Sequence, residues 1–129
     1  MKVLIDTQCW LWMNASPEKL SRRTHDLLMA PGTERMLSVA SIWEIGIKYH
    51  LGKLPLPVAP ADYVPARLAL TRTTGLSITA AHALRASSLP ALHRDPFDRM
   101  IVAQALVEGV PVLSSDGQLD AYGIRRLAP

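Results

Sequence analysis

The sequence predicts an α/β fold, a three-layer α/β/α sandwich around a central parallel sheet. Three observations predict it. Short apolar runs such as KVLID, RMLS and PVLSS read as buried strands rather than as half-exposed ones. They alternate along the chain with longer stretches of helical pattern, the signature of strand–helix–strand units. The helical stretches also carry start and stop residues at their ends.

Val3–Asp6 is the first expected strand, and Gln8–Met13 continues as a short helix before a break at Asn14–Pro17. Leu20–Ala30 carries Leu20, Leu27 and Leu28 among polar residues and suits an amphipathic helix ended by Pro31-Gly32. Arg35–Ser38 is the second strand. Ser41 is the expected cap of a helix running to about Leu51, with Gly52 as its stop. LPLPVAP is too proline-rich for a central strand and reads as a connector. A helix over Asp62–Thr73, a strand over Gly75–Ile78 and a Thr79-capped helix to Ser87 follow, then a loop over Leu89–Arg94. Asp95–Glu108 has the clearest helix ends: Asp95 as N-cap, Pro96 at N1, Asp98 at N3 and Gly109 beyond the last turn. Val110–Ser114 is another buried strand, Gly117–Ala121 a helical turn and Ile124–Leu127 a terminal strand.

A chain of 129 residues is expected to form one domain, spanning 1–129, with a core that needs no disulfide. Hydrophobic residues make up 49% and charged residues 19%, which excludes a disordered chain. A mean hydropathy of +0.14 is high for a small monomer and points to burial against a partner or a twin. The net charge of +3 permits a nucleic-acid partner without requiring one. The lone cysteine, Cys9, excludes a disulfide framework and a Cys-based zinc site and reads as a buried, inert thiol. The amino-terminal MKVLIDTQCWLWM imitates a leader, but Asp6 interrupts it and no small-residue cleavage site follows. No apolar run reaches the roughly 18 residues of a membrane span. A cytoplasmic location with no membrane partner is the expectation.

Four acids stand where an open α/β sheet gathers chain ends: Asp6 and Asp116 at the carboxyl ends of strands, Glu44 in the helix after the second strand, and Asp98 in the first turn of the Asp95 helix. Asp98 reaches such a crevice only if its loop crosses back over the carboxyl edge of the sheet. Carboxylates crowded in one crevice do not all stay ionised without a cation between them, so the pattern points to a hard divalent metal and phosphate chemistry. Each acid also has a plainer reading. Asp6 and Asp116 can cap the turns that follow them, and Asp98 sits where a capping box favours a carboxylate. Glu44 lies among Ile42, Trp43, Ile45 and Ile47, where a glutamate requires a partner or a metal. The alternative is a solvated stripe of Ser41, Glu44 and Lys48, with Glu44 and Lys48 as an i,i+4 pair.

The stretches VLIDTQCWLW, LSVASIWEIGIKYHLGKLPLP, HALRASSLPALHRDPFDRMIVAQALVEGVPVLSSD and YGIRRL cover most of the chain. Over these stretches it resembles the PIN-domain ribonucleases, specifically the VapC-like toxins of type II toxin–antitoxin modules. The resemblance implies a PIN-like fold and a metal-dependent endoribonuclease. It also implies Mg²⁺ or Mn²⁺ as cofactor, a homodimer and a VapB-like antitoxin whose tail covers the groove. It assigns catalytic and metal-binding roles to Asp6, Glu44, Asp98 and Asp116. Thr7, Ser114 and Asp95 are auxiliary: Ser114 as a hydrogen-bonding partner of the carboxylates, Asp95 chiefly as a helix cap. His93 belongs to the same segment as Asp95. One position departs from the branch, which usually has His after the Asp-Thr pair where this chain has Gln8; an amide hydrogen-bonds but carries no proton.

An RNA substrate must approach an acidic pocket past positive charge, and Lys48, Lys53, Arg94 and Arg99 are the candidate rim, with Arg22 and Arg23 further off. Trp10, Trp12 and Trp43 can stack on bases or pack in a core or interface. His25, His50 and His82 are isolated and read as structural or surface residues. Two rival classes stand beside the nuclease. An aspartate-based phosphotransfer domain also places Asp at a strand end, but it wants a second acid next to the first, and Asp6-Thr7-Gln8 supplies none. A non-catalytic module binding RNA or protein through the same fold is the other.

Overall fold

In the computed structural model, which describes residues 1–129, the chain runs β1 (Lys2–Ile5), α1 (Thr7–Ala15), α2 (Arg22–Met29), β2 (Glu34–Ser38), α3 (Val39–His50), α4 (Pro60–Leu70), β3 (Thr73–Leu76), α5 (Ala80–Ser88), α6 (Pro96–Glu108), β4 (Val112–Leu113) and β5 (Arg126–Leu127). The strands form one sheet in the order β3-β2-β1-β4-β5, and every neighbouring pair is parallel. Helices cover both faces, as the alternation of strands and helices predicts.

The pleat shows how the two faces are filled. Val3, Ile5, Leu37 and Leu113 point to one side and join Cys9, Trp10, Leu28, Ile45, Tyr63 and Val64 from α1 to α4. Leu4, Met36 and Val112 point to the other side and pack on Ile101 and Ala105 of α6. The buried strands therefore read as continuous apolar runs because each residue meets one layer or the other. Cys9 is a free, fully buried thiol in the first of these cores, and burial, with Asp6 nearby, pushes its pKa far above the usual range.

Several boundaries differ from the sequence reading. The α3 cap is Ser38, whose hydroxyl accepts from the Ala40 amide, so the helix starts directly from β2; Ser41 is instead buried inside it. α1 runs on to Ala15, into the expected break, a 3₁₀ turn follows at Pro17–Lys19, and α2 is capped by Ser21. α4 begins at Pro60 rather than Asp62, with the proline at the first helical position, where its missing amide costs nothing. It ends before Arg72, whose φ of 50° turns the chain so that Thr73 opens β3. β3 therefore lies two residues earlier than expected. β4 and β5 are shorter than their apolar runs. No helix is long and apolar enough to cross a membrane.

The order of the strands sets the place of the site. From β1 the chain moves outward through β2 to β3, then returns across the sheet to β4 on the other side of β1. The carboxyl ends of β1 and β4 therefore flank the switch point, where open α/β sheets form a crevice. Because α6 must deliver the chain to the amino end of β4, its own amino terminus lies at the carboxyl edge.

Candidate functional site

Asp6, Glu44, Asp98 and Asp116 all line a single pocket of about 390 Å³ at this switch point, together with Thr7, Gln8, Lys48, Lys53, Asp95 and Ser115. The loop between α5 and α6 does cross back, which brings Asp98 to the crevice. The four acids reach it from four elements.

Asp6 follows β1 and caps α1, its Oδ1 accepting from the Cys9 amide at 2.7 Å. The plain capping role and the crevice position thus coincide in one carboxylate. Asp6 is buried, and burial raises its pKa, with Glu44 adding to the rise; hydrogen bonds from the Ser114 hydroxyl and from Cys9 act the other way. Ser114 is fully buried and also accepts from the Asp116 amide at 3.1 Å, so it ties the ends of β1 and β4 together.

Glu44 is 5% exposed in the middle of α3. Its Oε1 lies 2.6 Å from the Thr7 hydroxyl, which is also 2.8 Å from the Ser41 hydroxyl. Its Oε2 meets the Lys48 ammonium at 2.6 Å, the i,i+4 pair that the spacing allows. Glu44 is therefore a buried, partnered carboxylate that still faces the pocket, whereas the Ser41 end of the proposed solvated stripe is buried. The bond to Glu44 raises the Lys48 pKa.

Asp95 caps α6 as its sequence signature predicts, Oδ1 accepting from the amides of Phe97 at 2.8 Å and Asp98 at 3.2 Å. Asp98, one turn in, is crowded: burial first, then the charge of Asp95, push its carboxyl up to about 7, against the pull of His93. Asp116 caps the 3₁₀ turn Gly117–Tyr122. Burial acts upward on it, but hydrogen bonds from His93 and from the Gln118 amide outweigh this and hold the carboxyl below its ordinary range.

His93 is the residue whose place the sequence does not reveal. Its Nε2 lies 2.8 Å from Asp116 and 3.3 Å from Asp98, between the two acids. His93, Asp98 and Asp116 bring donor atoms close enough to share one metal ion. The other histidines stay out of the site: His25 and His50 are exposed, and His82 is buried in a capping box with Thr79.

The expected basic rim divides. Lys48 and Lys53 line the pocket. Arg94 is exposed and outside the lining. Arg99 is no rim residue: its guanidinium donates to the carbonyls of Ala86, Leu89 and Pro90 at 2.9–3.0 Å and is occupied in holding the α5–α6 loop. Trp10 is fully buried in the core, and Lys19 stacks on Trp12. Trp43 is 66% exposed on α3, edge-on to Phe97.

The donor set suits a hard divalent cation. The pocket offers carboxylate oxygens from four elements, and the upward shifts of Asp6 and Asp98 show that it stabilises their charge poorly without a cation.

Comparison with known proteins adds lineage. The PIN domain family model matches residues 3–124. A stretch of 57 residues is 51% identical to Ribonuclease VapC16 of Mycobacterium tuberculosis, covering 43% of this chain and only 40% of that protein's length. Among solved structures, VapBC2 from Rickettsia felis, bound to a DNA fragment from its promoter, superposes with a TM-score of 0.74 at 13% identity, over 99% of this chain and 98% of that one. DNA-bound VapBC from Salmonella typhimurium gives 0.69 at 20% identity, with the same coverage. At such identities the structures show a shared fold.

Proposed function

Because the chain belongs to the PIN domain family, we propose that it is a metal-dependent endoribonuclease that hydrolyses RNA phosphodiester bonds as the toxin of a VapBC-like toxin–antitoxin module. The observation that carries this reading is the convergence of Asp6, Glu44, Asp98 and Asp116 on one pocket at the switch point of the sheet. The ribonuclease name of the matched relative and the VapBC assemblies among the structural neighbours support the choice of RNA and of an antitoxin partner.

Mg²⁺ or Mn²⁺ would be held by Asp6 as the central ligand, with Asp98 and Asp116 completing the site directly or through water. When bound, the ion would lower the pKa of the attacking water and offset charge on the scissile phosphate. Glu44 ligates or orients the attacking water, and Thr7 and Lys48 fix its two oxygens. Ser114 orients Asp6. Lys53 and the exposed Arg94 draw the RNA backbone towards the pocket. Gln8, which also lines the pocket, hydrogen-bonds phosphate or water but cannot carry a proton, so it takes no acid–base role.

The exposed apolar side chains Trp43, Leu51, Leu70 and Leu84 agree with a protein that works as a homodimer under an antitoxin, in the cytoplasm. The deciding measurement is RNA cleavage by purified protein with Mg²⁺, with EDTA, and for Asp6→Asn. Cleavage is expected only for the unsubstituted protein with metal. Turnover that persists through both EDTA and the substitution overturns the mechanism.

A further inference from the structure

The α5–α6 loop is pinned from outside the pocket. Arg99 holds the carbonyls of Ala86, Leu89 and Pro90. The Tyr122 hydroxyl donates to the Pro90 carbonyl at 3.0 Å and accepts from the His93 amide at 2.9 Å. With its backbone held this way, His93 turns its ring inward, Nε2 facing Asp116 at 2.8 Å and Asp98 at 3.3 Å.

The opposite ring nitrogen decides which face of the imidazole chemistry points at the acids. Nδ1 lies 3.1 Å from the Asp95 amide. A backbone amide only donates, so Nδ1 is the acceptor and the ring proton sits on Nε2. The side chain therefore offers Asp116 an N–H, with Asp98 beside it. It does not offer a cation a lone pair, because that would require moving the proton to Nδ1 and giving up the bond from Asp95.

We propose that His93 is a positioning residue of the metal centre: a tautomer-locked Nε2–H donor that holds Asp116 in a ligating position beside Asp98 without itself ligating. The proposal rests on the metal-nuclease reading above. Donors of this outer kind orient carboxylate ligands, and their loss typically weakens metal binding 10- to 100-fold. It also gives the Arg99 and Tyr122 contacts a purpose, since they fix the loop that aims the ring.

The test uses Mn²⁺ as probe, with binding measured by electron paramagnetic resonance and calorimetry on the unsubstituted protein, His93→Leu and His93→Gln. The leucine variant should bind Mn²⁺ about 10- to 100-fold more weakly. The glutamine variant, whose amide N–H₂ can replace the Nε2–H, should recover most of that loss. Pulsed resonance on the Mn²⁺-loaded, unsubstituted protein should show no directly coordinated nitrogen. That spectrum needs no variant to fold. A directly coordinated nitrogen, or undiminished affinity in a folded leucine variant, overturns the positioning role. If the unsubstituted protein binds no Mn²⁺, the metal reading itself fails; if Asp6→Asn loses Mn²⁺ while both His93 variants keep it, only this inference does.

Discussion

The hydroxyl of Thr7 lies 2.6 Å from Oε1 of Glu44, joining the first turn of α1 to the middle of α3 inside the acidic pocket. Thr7 and Glu44 are both buried, so the carboxylate relies on this donor and on Lys48 in place of water. A hydrogen bond to a buried charge contributes about 1.5–3 kcal/mol, more than an ordinary one. Thr7→Val keeps the shape and removes the donor. It should lower stability by about 2 kcal/mol in urea denaturation, and RNA cleavage should fall with it. A valine variant as stable and as active as the parent would show that Glu44 is held by Lys48 alone.

The raised carboxyl groups make stability depend on pH and on metal in a linked way. Asp98 titrates at about 7 in the fold against 3.8 in the unfolded chain, and Asp6 is also raised. The folded state therefore takes up these protons more readily than the unfolded state, so protonation stabilises it. That contribution is complete below the unfolded value and is lost as pH climbs through about 7. Asp116, whose pKa is lowered, works in the opposite sense and matters only in stronger acid. In EDTA the melting temperature should be higher at about pH 5.5 than at about pH 8, and Mg²⁺ should raise it chiefly at the higher pH. A melting temperature flat across that interval, with or without Mg²⁺, would contradict the crowding of charge in the pocket.

Lys53 and Arg99 look alike in the sequence as basic residues near acids, but the structure separates them. Lys53 lines the pocket, while Arg99 spends its guanidinium on loop carbonyls. Lys53→Gln should weaken binding of single-stranded RNA and reduce the steepness of its salt dependence by about 0.7 on a log–log plot, as for one lost phosphate contact. Arg99→Lys loses the planar fork and should lower stability by about 1–3 kcal/mol while leaving the salt slope unchanged. A reversal of these two patterns, read from filter binding across a salt series, would return Arg99 to the rim.

What could be read in advance follows from how local each cause is. The Asp95-Pro96 start of α6, the Thr79 cap and the strands β1 and β2 are local patterns, and they stand within a residue of where the sequence puts them. Ser38 and Ser41 are both serines at the same strand-to-helix passage, and only the end of β2 decides which one caps α3. The α4–β3 turn uses Arg72 in a left-handed conformation, with no glycine or asparagine to announce it. His93 meets Asp116 across 23 residues, and such a contact leaves no mark in local spacing. Asp6, Asp98 and Asp116 were legible because strand ends and helix starts converge by the geometry of the fold, and Glu44 because an acid stood in an apolar run; of their partners, Lys48 and Ser114 could be read in advance and His93 could not.

Asp95 tests the boundary between helix end and site. Its Oδ1 accepts two α6 amides, and its charge is the next largest influence after burial in raising the Asp98 carboxyl. Asp95→Ala should cost about 1 kcal/mol, as for a lost N-cap. Asp95→Asn should restore that stability, because asparagine caps as well as aspartate, while removing the charge that crowds Asp98. Both variants should still cleave RNA once folded, and in the asparagine variant Asp98 should titrate lower than in the parent. Urea denaturation, carboxyl titration by NMR and RNA cleavage on the same preparations read the three effects. An asparagine variant with parental stability and no turnover would place Asp95 among the residues that act on the substrate rather than at the end of a helix.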